Sequence, residues 1–175
     1  MTGPNSGSPT PPFTPPSEDE FRQAMGRFAT GVVVVSTRSG RLDHAITVNS
    51  FTSVSLDPML VLTCVDTDSR FHDAVVDAGV FGVSVLAEAQ RPAASWLATP
   101  GRPIPGQFDH VPHERGVATG VVLLAGSLTT IECRTEAIHP AGDHSIVIGN
   151  VLSLSMPANS QPALTYFRGR YGALP

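Results

Sequence analysis

Apolar positions along this chain come in short, dense bursts separated by polar turn residues, with only brief stretches of helical spacing. The densest burst, Val32-Val33-Val34-Val35, is β-branched throughout and runs on into Ser36-Thr37, so 32–37 reads as a buried strand. Comparable bursts at about 44–49, 59–65, 80–86, 121–124, 127–138, 145–156 and 163–167 read as further strands. Their boundaries are Ser39-Gly40, Asp57-Pro58, Gly126, Pro140-Ala141-Gly142-Asp143 and Pro157-Ala158-Asn159. Helical spacing appears in three places. Ser17 and Glu20 form a capping box ahead of Phe21, Met25 and Phe28 on one face. Phe71, Ala74, Val75 and Ala78 make a stripe over 69–78, capped by Asp68 or Ser69 and ended by Gly79. A third helix covers 87–97, disturbed at Pro92, and the proline-rich stretch 99–106 after it is loop. Strands outnumber helices, no repeat is present, and the regular alternation of a doubly wound sheet is missing. The expected fold is mainly β, an antiparallel barrel with peripheral helices.

Composition narrows the picture. A chain of 175 residues builds one domain. Residues 1–16 hold prolines at 4, 9, 11, 12, 15 and 16 with Phe13 as the lone large apolar side chain, so they are expected to form a disordered arm, and the domain runs over 17–175. A net charge of −4 without any basic stripe argues against a nucleic-acid surface. No apolar stretch approaches the roughly 18 residues of a membrane span. The beginning of the chain lacks the pattern of an export signal, and a cytoplasmic location is expected. Cys64 and Cys133 fit neither a redox pair nor a metal spacing and read as reduced thiols in strands. Asp109, His110 and His113 lack the further ligands of a shell, so no metal is expected.

Candidate chemistry concentrates in 45–70, AITVNSFTSVSLDPMLVLTCVDTDSR, where two polar clusters flank a short apolar strand. Val48-Asn49-Ser50 and Ser53-Val54-Ser55 offer short uncharged groups and exposed amides, which orient a ligand without a strong charge. Ser69-Arg70 opens a helix, where free amides, a hydroxyl and a guanidinium suit an anion. Gly142-Asp143-His144 puts a histidine in a turn, and Phe167 and Arg168-Gly169-Arg170-Tyr171 put aromatics near the chain end. No GxSxG elbow, Rossmann glycine fingerprint or phosphate-binding loop occurs.

In 45–70, 142–144 and 168–171 the chain resembles the flavin reductase family, and the resemblance extends over nearly everything after Ser17. It implies the FMN-binding split barrel, an antiparallel Greek-key-like barrel, as a homodimer with flavin sites near the subunit boundary. It implies an NAD(P)H:flavin oxidoreductase that passes hydride to N5 of FAD or FMN and supplies free reduced flavin to a separate monooxygenase. The cofactors would carry the hydride, with no catalytic side chain. Carried over residue by residue, Val48, Asn49, Ser50, Ser53, Val54 and Ser55 would hold the ring and ribityl chain, and Cys64, Val65 and Asp66 would follow the flavin edge. Ser69 and Arg70 would seat the phosphate, Phe108 and Tyr171 would pack near the flavin, and His144 would orient NAD(P)H. The absence of a basic cluster for a 2′-phosphate favours NADH. Phe71 departs from the family, which often has a small hydroxyl residue after the arginine. A split-barrel protein that stores or senses flavin without turnover is the competing reading, and His144 is the residue that separates the two.

Overall fold

The computed structural model describes residues 14–158 and 161–175, so the expected N-terminal arm lies outside the described residues up to Phe13. In chain order the elements are α1 (Glu18–Met25), β1 (Thr30–Gly31), β2 (Val33–Ser39), β3 (Leu42–Val48), β4 (Phe51–Leu56), β5 (Met59–Asp66), α2 (Arg70–Ala78) and β6 (Val80–Val85). A 3-10 turn (Glu88–Gln90) leads into α3 (Arg91–Ala98), followed by β7 (His113–Arg115), β8 (Val122–Leu124), β9 (Thr129–Ala141), β10 (His144–Ser155), β11 (Ala163–Phe167) and β12 (Arg170–Leu174).

Seven strands form one sheet in the order β3-β2-β6-β9-β10-β5-β4, every neighbouring pair antiparallel. Its two edge strands, β3 and β4, are consecutive in the chain and separated only by Asn49 and Ser50. A two-residue link between opposite edges holds them together at one end, so the sheet curls into a nearly closed barrel with an unpaired seam. The mainly β barrel with peripheral helices is the fold.

The valine run of β2 shows why the pattern is continuous rather than alternating. Val33 and Val35 face one apolar cluster with Val61, Val65, Phe71, Val75, Phe81, Val83, Cys133 and Val147. Val32 and Val34 face the other, with Ala45, Leu86, Ala94, Leu97, Phe108, Val111, Val122, Leu124 and Leu164. α2 closes the first cluster through Phe71 and Val75, and α3 covers the second through Ala94 and Leu97. At Gly149 a Cβ would sit 2.3 Å from Cζ of Phe81, so only glycine lets that ring fill the barrel.

Four elements differ from the expectation. The polar stretch Ser53-Val54-Ser55, expected as a binding cluster, belongs to the strand β4, and β1, β7 and β12 escape the hydrophobic pattern because they are short or exposed. Pro92 starts a helix instead of disturbing one: α3 begins at Arg91, and proline is tolerated in the first turn, where its missing N–H has no partner to lose. No helix of the described residues is long and apolar enough to cross a membrane.

Candidate functional site

The seam leaves β3 with one free edge, and the chain occupies only half of it. In an antiparallel strand with one neighbour, alternate residues turn both backbone groups away from that neighbour. The outward carbonyl of Asp43 accepts from Nε2 of Gln107 at 2.5 Å, and that of Ala45 accepts from Nη2 of Arg102. The same parity turns the Thr47 backbone outward, and no hydrogen bond within the described residues uses it. Side chains from the 99–107 segment therefore cap the first part of the edge and leave the last part open.

Two adjoining clefts follow this edge. The larger, about 340 Å³, is lined by His44, Ala45 and Ile46 of β3, by Asp66, Asp68, Ser69, Arg70 and Phe71, and by Leu97 to Arg102 with Ile104 and Gln107. The smaller, about 210 Å³, is lined by Val32, Thr47, Val48, Asn49, Ala98, Tyr166 and Tyr171. Ala98 borders both, and β3 is the floor of both. From His44 to Asn49 the floor spans about 16 Å at ~3.3 Å per residue, room for a flat ring at one end and a charged group at the other.

The charged end is cationic. Ser69 caps α2, accepting from the His72 N–H at 3.2 Å, and spends its own hydrogen on the Asp66 carbonyl at 2.7 Å. The Arg70 and Phe71 amides stay without intrahelical partners, as at any helix start. Nη2 of Arg70 donates to the Arg102 carbonyl at 2.6 Å. The Arg102 side chain donates to Gln107 Oε1 and to the Thr99 carbonyl at 3.2 Å. Among the described residues neither arginine has a carboxylate partner within ion-pair distance. Burial, with Arg70 adding repulsion, pulls Arg102 below its ordinary value, and the same two causes in the same order lower His44, with Arg102 adding and Asp43 opposing. Asp66 and Asp68 also line this cleft, but among the described residues neither pairs with a guanidinium, so two unpaired guanidiniums in a partly desolvated cleft can attract an anion.

The other end is aromatic. The Tyr171 ring lies edge-on to Tyr166 at 5.5 Å, with the Arg91 guanidinium 5.7 Å from its centroid, and burial raises the Tyr171 hydroxyl above its ordinary value. His144 starts β10 paired with Asp66, a lining residue of the larger cleft, and does not itself line either cleft. Its Nδ1 lies 2.7 Å from Oδ1 of Asp143, and that bond holds the Asp143 carboxyl below the usual range. The Thr67 N–H and hydroxyl both donate to the Asp143 carbonyl at 3.0 Å, fastening the His144 turn to the turn that carries Ser69.

Of the residues singled out from sequence, Val48, Asn49, Asp66, Ser69, Arg70 and Tyr171 line the clefts. Others are placed elsewhere. Phe108 is 8% exposed, packed in the core against His113 at 5.3 Å, and its neighbour Gln107 is the one that reaches the cleft. Val65 is 1% exposed and faces the barrel interior, because strand alternation turns it opposite to Cys64. Ser50 both donates to the Cys64 carbonyl at 2.9 Å and accepts from its N–H at 3.1 Å, tying the seam to β5. Ser53, Val54 and Ser55 lie on the edge strand β4 outside both clefts, with Ser55 Oγ accepting from the Asp57 N–H. Arg102, Gln107, His44, Thr47 and Tyr166 were not singled out. The first two sit in a loop whose prolines announce only irregular backbone, and the others needed the register of β3 and its contact with β11.

A family model described as flavin reductase like domain matches residues 25–175. The chain is 40% identical over 153 residues to an NADH-dependent FAD reductase of Streptomyces globisporus, covering 82% of this chain and 83% of that protein. It is 38% identical over 170 residues to the NADH-dependent FMN reductase AsuE2 of Streptomyces nodosus subsp. asukaensis, covering 92% and 87%. Among solved structures it superposes with a TM-score of 0.86 on BorF, the flavin reductase component of a bacterial two-component tryptophan halogenase, at 42% identity over 91% of this chain and 99% of that one.

Proposed function

Because the chain belongs to the flavin reductase like domain family, we propose that it is an NADH-favouring NAD(P)H:flavin oxidoreductase that releases reduced FAD or FMN to a separate flavin-dependent monooxygenase. The observation that carries the reading is the groove along β3, open and aromatic at one end and doubly cationic at the other. Its donor set fits a flavin nucleotide. Arg70 would pair with the phosphate, with the amides at the start of α2 beside it. The Thr47 backbone, one donor and one acceptor on the open edge, would meet the polar edge of the ring, and Tyr171 would pack against its apolar part. A bound flavin supplies a ring that accepts hydride from a reduced nicotinamide. The protein's own work is to hold that ring, keep one face reachable, and offer His144, paired across β10 and β5 with the cleft residue Asp66, to orient the nicotinamide. Short neutral groups and two side-chain cations suit a ligand that must leave again.

NADH over NADPH is supported by the absence from the sequence of a basic cluster suited to a 2′-phosphate. A reducing, cytoplasmic setting is supported by two free thiols, Cys64 and Cys133. A homodimer is supported by the outer side of β5 and β10, where Leu60, Leu62, Ile146 and Ile148 are only half-buried and Leu152 is exposed. Such a continuous apolar face on a sheet calls for a cover.

Mixing the purified protein with NADH and FAD or FMN tests the activity, read as loss of nicotinamide absorbance. Turnover is expected with at least one flavin. No oxidation with either flavin and either nicotinamide overturns the proposal. In His144→Ala, KM for NADH should rise about tenfold with flavin affinity unchanged, and loss of flavin binding instead would reassign the residue.

A further inference from the structure

His144 lines neither cleft, so its service to a nicotinamide depends on how firmly the chain holds its turn. That turn is the tip of the β9–β10 hairpin: Ala141 pairs with His144, and only Gly142 and Asp143 lie between them. Two anchors fix the tip, and both come from the segment that starts α2. On one side of His144, Thr67 spends its N–H and its hydroxyl on the Asp143 carbonyl. On the other side, Ser145 Oγ lies 3.0 Å from Nε2 of His72. Successive strand residues point to opposite faces, so Ser145 turns into the barrel on the side of Val147 while His144 turns away from it. Ser145 is 4% exposed and its hydroxyl has no other partner among the described residues, and the His72 side chain is 18% exposed. The Asp73 carboxylate, 3.6 Å from Nδ1 of His72, favours the tautomer with the proton on that nitrogen, which leaves Nε2 to accept the Ser145 hydroxyl. The His72 backbone N–H donates to Ser69 Oγ at 3.2 Å, so the same residue belongs to the cap beside Arg70.

We infer that His72 is a positioning residue: through Ser145 it fixes the start of β10, and with it His144, to the helix turn that carries Ser69 and Arg70. The inference rests on the reductase reading, in which His144 orients the nicotinamide, and adds the residue that holds it there. Burial gives the bond its strength. A hydroxyl and a ring nitrogen taken out of water stay paired, because parting leaves two polar groups without partners. Without the imidazole the hairpin tip hangs on Thr67 alone, whose bonds to Asp143 are exposed. His144 then spends less time in the orientation that meets a nicotinamide, which weakens NADH binding. Flavin is spared, since the bond to Ser69 Oγ uses the His72 backbone, which any substitute retains, and Arg70 keeps its contact with the Arg102 carbonyl.

The test is steady-state kinetics of the full chain with NADH at saturating flavin, with flavin affinity read separately by fluorescence titration. His72→Leu and Ser145→Ala should each raise KM for NADH about fivefold, with kcat and flavin affinity within about twofold of wild type. His72→Gln, which keeps a hydrogen-bonding group at that reach, should hold KM near the wild-type value. The double variant His72→Leu, Ser145→Ala removes both partners together, so its Tm should recover toward wild type while its KM stays raised. In a His144→Ala background His72→Leu should add nothing, because no imidazole is left to position. Unchanged KM in His72→Leu, a KM that recovers along with Tm in the double variant, or a full-sized rise in the His144→Ala background overturns the positioning role and leaves the reductase reading standing. Unchanged KM in His144→Ala itself overturns the nicotinamide role of His144 and the positioning role with it.

Discussion

Arg70 and His44 show how single side chains set the behaviour of the groove. Arg70 contributes a charge-assisted contact of about 1.5–3 kcal/mol to a bound phosphate, so Arg70→Met should weaken FMN about 10- to 100-fold while riboflavin, which has no phosphate, is unaffected. A fluorescence titration of both flavins measures the split. His44 is held below its ordinary 6.5 first by burial and then by Arg70. Two consequences follow from that shift, with opposite pH slopes. The unfolded chain takes up the proton near 6.5 and the folded one only at lower pH, so this group costs stability progressively as pH falls below 6.5. A bound phosphate offsets the repulsion from Arg70 and Arg102 and raises His44 again, so flavin binding takes up a proton and tightens as pH falls. FAD is the flavin to use, because the FMN phosphate titrates near pH ~6 itself. The slope should vanish in His44→Ala, and a slope that persists there belongs to another group. Cys133 is the opposite case: burial pushes its thiol to about 12, which keeps it neutral and unreactive, while half-exposed Cys64 is open to reagents. These residues differ in legibility. Arg70 announces itself by following a helix cap, whereas the shift on His44 exists only because two arginines distant in sequence are folded around it.

Among the elements, β5 and β10 show what packing adds to pattern. Thr63 lies 1% exposed inside the barrel with its hydroxyl unpartnered, and a threonine in an apolar run looks from sequence like any other strand residue. Thr63→Val keeps the shape and removes the unsatisfied hydroxyl, so thermal unfolding should show a gain of about 1 kcal/mol. Gly149 on β10 meets Phe81 at a distance no Cβ tolerates, so Gly149→Ala should cost about 1–3 kcal/mol by overpacking, visible as a lower Tm. The strands and helices with dense or periodic apolar positions were legible because burial writes itself into spacing. β4 was not, since on this edge strand Ser53 and Val54 are exposed and Ser55 only half-buried, which leaves no such trace. α1 carries the opposite lesson. Its capping box forms as the sequence announces, but Phe21 and Met25 on it and Phe28 beyond it stay 60%, 51% and 69% exposed, so amphipathic spacing alone did not identify what the helix packs on.

At the scale of the whole molecule, the half-exposed apolar side of β5 and β10 belongs to the proposed dimer. Light scattering should give twice the chain mass, and Leu62→Arg, placed in the middle of that face, should give a monomer. If the wild-type chain is monomeric at micromolar concentration, that face has another role. By itself the sequence determined the mainly β class, most of the element order, the capped helix start at Ser69-Arg70 and the family, because hydrophobic period, capping and turn chemistry are local properties of the chain. Only the tertiary structure decided where the groove lies. The groove exists because β3 and β4, neighbours in sequence, are the two edges of one curled sheet, and because Arg102 and Gln107 cap the Ala45 and Asp43 carbonyls but stop short of Thr47. Those contacts join residues 57 and 64 positions apart, a separation that no local pattern in the chain encodes.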